Sequence, residues 1–155
     1  MSSARARANH GLYLAKIQLS GWRRALAAQD IPAVTITQAF LPAVREHLLA
    51  AYGWFLLEVS GSEQLTGQPP RGCAGLPDIA AGRAVPGEIR EFHQLETQGW
   101  LAEIVSDHEV PVRATPMQGN LAVAAPELTG CERAQQWIDN LEALFDRMSN
   151  SLDEY

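Results

Sequence analysis

Residues 132–155 have the sequence ERAQQWIDNLEALFDRMSNSLDEY, which contains the most regular helical spacing of apolar residues in the chain. The apolar residues recur every three or four positions, which places them on one face of an α-helix. They are Ala134, Trp137, Ile138, Leu141, Leu144, Phe145, Met148 and Leu152. Thr129 and Glu132 just before this stretch have the spacing of a capping box, in which each side chain bonds a backbone N–H at the helix start. The sequence therefore predicts a long amphipathic final helix, which we expect to pack on the first or second helix.

The same spacing occurs in the first 29 residues. A single stripe contains Ala8, Leu12, Ala15, Leu19, Trp22 and Leu26. The segment Asp30-Ile31-Pro32 should end this helix, because proline restricts the residue before it and cannot donate a backbone hydrogen bond. We expect the first helix to bury this stripe and to present its basic residues on the flanks.

A second helix should begin between Thr35 and Leu41 and end near Ser60-Gly61. Pro42 suits its first turn, and Thr37 is a candidate cap. The stripe of this helix contains Phe40, Val44, Leu48, Ala51, Phe55 and Val59, and it is widened by Leu49, Tyr52, Leu56 and Leu57. An apolar surface that covers most of the circumference indicates a central helix buried on several sides.

A third helical region runs from about Pro86 to Asp107. Its apolar residues are Ile89, Phe92, Leu95, Leu101, Ile104 and Val105. Gln98-Gly99 interrupts the pattern, so one broken helix and two short helices with a bend before Trp100 are both compatible with it. Either arrangement adds one more helical layer to the core.

Two Gly- and Pro-rich connections, residues 61–86 and 108–128, lack any periodicity. The first is predicted to be a long surface loop with room for one short turn of helix. We therefore expect one all-α domain over residues 1–155, an antiparallel four-helix bundle whose third helix breaks near Gly99. A chain of this length is long enough to bury a core without disulfides or metals.

The composition is that of an ordinary globular protein, with 46% hydrophobic and 19% charged residues and a net charge of −6. Cys73 and Cys131 are too few for a disulfide framework, so we expect free thiols in a reducing cytoplasm. The N-terminus lacks the apolar segment of a signal peptide. The longest nearly apolar run, Leu48–Leu57, is about half the roughly 20 residues of a membrane span. These features predict a cytoplasmic protein without a membrane segment.

The charges are divided unevenly along the chain. The first 29 residues carry five basic side chains and no acidic one, whereas the remaining 126 carry seven basic and eighteen acidic side chains. The five are Arg5, Arg7, Lys16, Arg23 and Arg24. They could contact a partner or an anion such as nucleic acid, or they could dock on the acidic later helices of the same chain. The excess of carboxylates favours docking within the chain, and nucleic-acid binding is the alternative.

Four segments together resemble a known family: ARANHGLYLAKIQLSGWRRAL, REHLLAAYGWFLLEVSG, GEIREFHQLETQGWLAEI and the final stretch quoted above. The chain is similar to a domain-of-unknown-function family of short helical proteins from Gram-negative gammaproteobacteria. The marks of the likeness are Asn9, Leu12 and Tyr13, the pair Trp100-Leu101, and the spacing of Trp137 and the leucines that follow it. These are packing residues. The resemblance implies a bacterial helical protein and no particular activity.

No catalytic or ligand-binding motif accompanies this pattern. The residues three positions before each histidine are Arg7, Val44, Arg90 and Val105, so the Glu-x-x-His pairs of di-iron bundles do not occur. His93 and Glu96 form a single His-x-x-Glu pair, which is weak evidence for a metal. His47 and Glu58 lie about 16 Å apart along one helix, too far to act as a pair on their own. The sequence contains neither a Gly-x-Ser-x-Gly elbow nor a phosphate-binding Gly-rich loop.

These observations favour a non-enzymatic protein that needs no cofactor and acts through contacts with another protein or with a second copy of itself. The first alternative is an accessory protein that binds nucleic acid through the basic N-terminal helix. The second is an enzyme or small-ligand carrier with a pocket under the 61–86 loop. His47, Glu58 and His93 are the residues that could line such a pocket.

Overall fold

The computed structural model describes residues 3–61, 67–76, 87–106 and 130–153. Every element in these ranges is helical, and the ranges contain no strand. The elements are α1 (Ala4–Ala28), α2 (Ala33–Ser60), a 3-10 turn (Cys73–Gly75), α3 (Gly87–Gln98), α4 (Leu101–Val105) and α5 (Gly130–Asp153). The prediction of an all-α chain is confirmed.

Helix α1 begins and ends with clear caps. The Ser3 hydroxyl accepts a hydrogen bond from Ala6 N at 3.1 Å, which satisfies one of the unpaired N–H groups of the first turn. Gln29 closes the other end in a left-handed conformation with φ 55. The predicted stripe is buried from Ala8 to Trp22, and Leu26 is partly buried.

The predicted start of α2 was wrong. The helix begins at Ala33, so Thr37 and Pro42 both lie in its interior. Ile36 is 3% exposed and donates its backbone N–H to Pro32 O at 3.1 Å. Burying Ile36 requires a helical turn before it, and this burial offsets part of the roughly 3 kcal/mol that an interior proline costs. The end of the helix at Ser60, closed by Gly61 with φ 69, agrees with the prediction.

Helices α1 and α2 form a hairpin. The position of a β-carbon on Gly11 would lie 3.0 Å from Ala51 Cβ, and that on Gly21 would lie 3.3 Å from Phe40. The earlier residue of α1, Gly11, contacts the later part of α2, and the later residue, Gly21, contacts its earlier part. The two helices are therefore antiparallel. Gly11 permits their closest approach, because any side chain there would have to displace the α2 backbone.

Helix α5 packs on both members of this hairpin. All of its predicted apolar residues from Ala134 to Met148 are buried, and Leu152 is partly buried. Phe145 stacks on Phe55 of α2 with ring centroids 4.1 Å apart. The predicted burial of this face is confirmed. Thr129 of the predicted capping box lies outside the described residues.

The third helical region is broken where the sequence predicts. It consists of α3 and α4, with Gly99 and Trp100 between them. Phe92 of α3 packs edge-on against Tyr52 and Phe55 of α2. Pro86, Asp107 and the connection 108–128 lie outside the described residues.

Residues 67–76 cross the surface of α2 and contain the one short helical turn expected in the first connection. They lie so close to Gly53 that a methyl group on this residue would overlap the carbonyl oxygen of Pro70. Gly53 is therefore the point where the loop rests on the central helix.

Candidate functional site

The basic residues of α1 are directed mainly at α5. Lys16 Nζ lies 2.9 Å from Glu142 Oε1, and Arg23 donates a hydrogen bond to Gln135 Oε1 at 2.7 Å. Gln135 in turn donates to Asp139 Oδ1 at 2.8 Å. These side chains line an open groove of about 570 Å³ between the two helices. Three cations (Lys16, Arg23 and Arg24) and two carboxylates (Asp139 and Glu142) line the groove, so most of its positive charge is offset within it.

Arg5, near the start of α1, makes a further contact with α5. It donates to Asp153 Oδ1 at 3.3 Å, and its Nε lies 3.2 Å from Glu58 Oε1 without hydrogen-bond geometry. The pKa of Arg5 is raised above its ordinary value, chiefly because Asp153 accepts its hydrogen bonds. Pairs as exposed as these contribute about 0–1 kcal/mol each. They orient α1 on α5 more than they stabilise it.

The other two basic residues take no part in these pairs, although Arg24 lines the same groove. Arg7 stacks over the Trp54 ring of α2, with its guanidinium carbon 4.6 Å from the ring centroid. Arg24 is exposed and makes no hydrogen bond or ion pair with another described residue. The structure thus brings Arg5, Lys16 and Arg23 to α5 and leaves Arg7 and Arg24 outside that contact. Among the described residues, Arg5, Lys16, Arg23 and Arg24 form no pair with a carboxylate of α3 or α4.

A second cluster contains the side chains that most resemble catalytic groups. The Tyr52 hydroxyl donates to Glu96 Oε1, and the Cys73 backbone N–H donates to the same oxygen at 2.8 Å. The Cys73 sulfur lies 3.9 Å from the Tyr52 hydroxyl. One carboxylate oxygen thereby connects α2, α3 and the loop that carries Cys73.

The electrostatics of this cluster suppress nucleophilic chemistry. Burial and the nearby Glu96 charge raise the pKa of the Cys73 thiol to about 12. Burial, followed by hydrogen bonding to Glu96, also raises the pKa of Tyr52 above its ordinary value. A nucleophilic cysteine requires a lowered pKa, because the thiolate is the reactive form. The cluster therefore fastens the loop to the core.

The other cysteine and the His-x-x-Glu pair offer no stronger site. Cys73 and Cys131 are both free thiols, and Cys131 is buried. His93 is exposed, whereas Glu96 bonds Tyr52 and Cys73. Within the part of the chain that the structure describes, no three His, Cys, Asp or Glu side chains form a group that could hold a metal ion.

The space under the 61–86 loop is small where the structure describes it. A cavity of about 220 Å³ lies between α2 and residues 68–71. Arg71 and Glu46 line it and bond each other, with nitrogen–oxygen distances of 2.9 and 3.1 Å. None of the three residues considered for such a pocket lines this cavity: Glu58 pairs with Arg5, His93 is exposed, and His47 lies in a different cleft.

His47 lines a cleft of about 480 Å³ between α1 and α2, which we call the hairpin cleft. Its lining residues are Ala6, Arg7, His10, Gly11, Leu14, His47, Ala50 and Trp54. They comprise one guanidinium, two imidazoles and apolar groups, with no carboxylate. Sequence reasoning missed this cleft, because its two walls come from helices whose register the sequence does not reveal. The only signal was His47 on the otherwise apolar α2.

The exposed apolar side chains are also concentrated on the hairpin. Among the described residues, the large hydrophobic side chains that remain exposed are Tyr13, Ile17, Ile31 and Val34, at 59%, 49%, 52% and 42%. Tyr13 and Ile17 are four positions apart and share one face of α1. The other two lie where the hairpin turns. The described parts of α3, α4 and α5 expose no such side chain.

No helix in the described ranges is long and apolar enough to cross a membrane. In comparisons with known proteins, no family model matches the chain, and neither does any curated protein or solved structure. The resemblance to a gammaproteobacterial family of helical proteins therefore stays a prediction.

Proposed function

We propose that this protein is a non-enzymatic protein–protein interaction module, and that its partner is a second copy of the same chain. The observation that carries the proposal is the grouping of all four exposed large hydrophobic side chains of the described residues on the α1–α2 hairpin. Tyr13 and Ile17 lie together on one face of α1, and adjoining exposed apolar side chains of this kind can mark a contact surface. The other described helices leave no large hydrophobic side chain exposed.

The size of the hairpin suits a homodimer. Its helices are each about 37–42 Å long at about 1.5 Å per residue, and helices pack about 8–10 Å apart. One face of the pair measures on the order of 700 Å², and residues 67–76 cover part of α2. The remaining area is below the roughly 800 Å² that each partner buries in a standard interface, which suits a weak homodimer. A twofold axis across this face would pair Tyr13 and Ile17 with the same residues of the second copy.

The proposal includes an architecture in which α3 and α4 together act as the third member of an antiparallel four-helix bundle. Two sets of contacts support it. Arg45 of α2 donates to the carbonyl oxygens of Ile104 and Ser106, and Trp137 of α5 donates to Glu103 at 2.9 Å. These contacts attach α4 to α2 and α5, and the proposed bundle puts α4 on the side of the core away from α1. The outer face of α1 then remains for a partner.

The test is the molar mass in solution, measured by light scattering over a range of protein concentrations. The wild type should approach twice the chain mass as concentration rises. The double variant Tyr13→Glu with Ile17→Glu should remain monomeric, because carboxylates would have to be buried in the interface. Gln136→Glu with Asn140→Glu, on the exposed polar face of α5, provides the matched charge control and should still dimerise.

Each variant must retain the helical circular dichroism spectrum of the wild type, so that a loss of dimerisation cannot be due to unfolding. A wild type that stays monomeric throughout would refute the homodimer. Equal dimerisation by the Tyr13 and Ile17 double variant would place the interface elsewhere.

A further inference from the structure

The hairpin cleft has a chemistry that the proposed function does not use. We propose that it binds a small organic carboxylate with an apolar or aromatic body. The cleft has a volume of about 480 Å³, within the roughly 300–1,000 Å³ range of small-molecule sites. Ala6, Leu14, Ala50 and Trp54 provide its apolar surface.

The polar lining of the cleft consists of one cation and two imidazoles. Arg7 is cationic, and the imidazoles of His10 and His47 can each donate a hydrogen bond. Neither imidazole hydrogen-bonds or ion-pairs with another described residue. In a chain of net charge −6, a cleft lined by these groups and no carboxylate selects an anion.

The nearest carboxylates on α2 are engaged elsewhere. Glu46, next to His47 in the chain, lies 2.9 Å from Arg71, and the pKa of Glu46 is lowered chiefly by that hydrogen bond. Glu58, one turn beyond Trp54, lies 3.2 Å from Arg5. Arg71 and Arg5 therefore offset part of these charges, while Glu46 also interacts electrostatically with His47 of the cleft. The two carboxylates oppose an incoming anion less than bare carboxylates would.

Arg7 and Trp54 favour an anion that also has an apolar body. The guanidinium uses its flat face to stack on the indole, and its N–H groups lie in its own plane, where they suit a planar carboxylate. Close packing of α1 on α2 at Gly11 forms the floor of the cleft. A carboxylate would contact Arg7 and the histidines, and its apolar body would lie against Leu14 and Ala50.

The experiment uses the full chain and three probes: 2-naphthoate, its neutral amide 2-naphthamide, and acetate. Binding is followed by calorimetry and by the indole N–H signals in proton–nitrogen NMR spectra. We expect 2-naphthoate to shift the Trp54 signal and to bind at least about ten-fold more tightly than either other probe, because naphthamide lacks the negative charge and acetate lacks the apolar body. Equal binding of naphthoate and naphthamide would overturn the anion site, and no saturable binding would overturn the proposal entirely.

Variants of the cleft histidines test whether naphthoate binds in the hairpin cleft. His10→Ala with His47→Ala should weaken naphthoate about ten-fold or more, whereas His93→Ala, an exposed histidine on α3, should leave it unchanged. An equal effect of both changes would overturn the assignment to this cleft. The monomeric variant Tyr13→Glu with Ile17→Glu should still bind naphthoate, because neither residue lines the cleft. Loss of dimerisation and loss of ligand binding are thus separately measurable.

Discussion

Gly53 is the residue of α2 on which residues 67–76 rest, because it has no side chain. A β-carbon at this position would overlap Pro70 O and lie 2.9 Å from Pro69 Cβ. Gly53→Ala should therefore lift residues 67–76 from α2 and lower the free energy of unfolding by about 1–3 kcal/mol, as overpacking does. Urea denaturation measures the change. Gly87→Ala is the control, because nothing lies within 4 Å of a β-carbon there. An unchanged midpoint for Gly53→Ala would mean that the loop does not rest on this helix.

The raised pKa of the Cys73 thiol leads to a prediction of how the free energy of unfolding changes at alkaline pH. Its pKa is raised from 9.0 to about 12 in the folded protein, so above about pH 9 the unfolded chain releases a proton that the folded chain keeps. Stability linked to this thiol is complete below pH 9 and is lost as pH rises towards 12. The raised pKa of Tyr52 acts in the same direction at higher pH. Urea denaturation from pH 8 to 11 should show a decline that is shallower in Cys73→Ala. An identical slope in the variant would contradict the burial of this thiol.

The sequence alone could not predict this cluster. Glu96 bonds Tyr52 and Cys73, which are 44 and 23 residues away in the chain. Hydrogen-bond partners at such separations depend on how helices pack, and helical periodicity does not specify packing partners. By contrast, the pairing of Lys16 with Glu142 of α5 agrees with the predicted docking of the basic N-terminal residues on the acidic later helices, although that prediction did not single out α5. Complementary charge on whole helices is visible in a sequence, whereas the position of one carboxylate is not.

Leu141 tests the packing of α5. Its side chain is fully buried at the centre of the helix. Leu141→Ala should lower the free energy of unfolding by about 2–5 kcal/mol through the cavity it leaves. Asn140→Ala, the exposed neighbour, should change stability by less than about 0.5 kcal/mol. Chemical denaturation compares the two, and equal stabilities would show that this face of α5 is not packed.

Helices whose apolar residues form one narrow stripe were predicted best. The stripes of α1 and α5 are buried as expected, and the Gln98-Gly99 interruption separates α3 from α4. The start of α2 was wrong because local rules place proline in the first turn, whereas the burial of Ile36 extends the helix two residues before the predicted window. Tertiary packing therefore overrode a local preference. The hairpin cleft was missed for a related reason, since it forms only when two helices adopt one register.

The uneven charge of the chain leads to a prediction about nucleic acid. Three of the five N-terminal cations contact polar groups of α5 or α2, so we expect negligible binding to a labelled DNA duplex at low ionic strength. Fluorescence anisotropy measures this binding. Glu142→Gln with Asp153→Asn should increase it by leaving Lys16 and Arg5 without those carboxylate partners. Micromolar binding by the wild type that falls steeply with salt would instead support the accessory protein acting on nucleic acid, because counterion release would drive it.

The contact between Arg5 and Asp153, with Nη1 3.3 Å from Oδ1, brings the first turn of α1 beside the last turn of α5. A short polar linker could therefore join the start of α1 to the end of α5, while the exposed connection at Asp30 could be opened to create new termini. In such a circular permutant α2 would be synthesised first and α1 last, with every helix contact available as before. The native structure should still form, because it depends on which helix faces meet and not on the order in which they leave the ribosome.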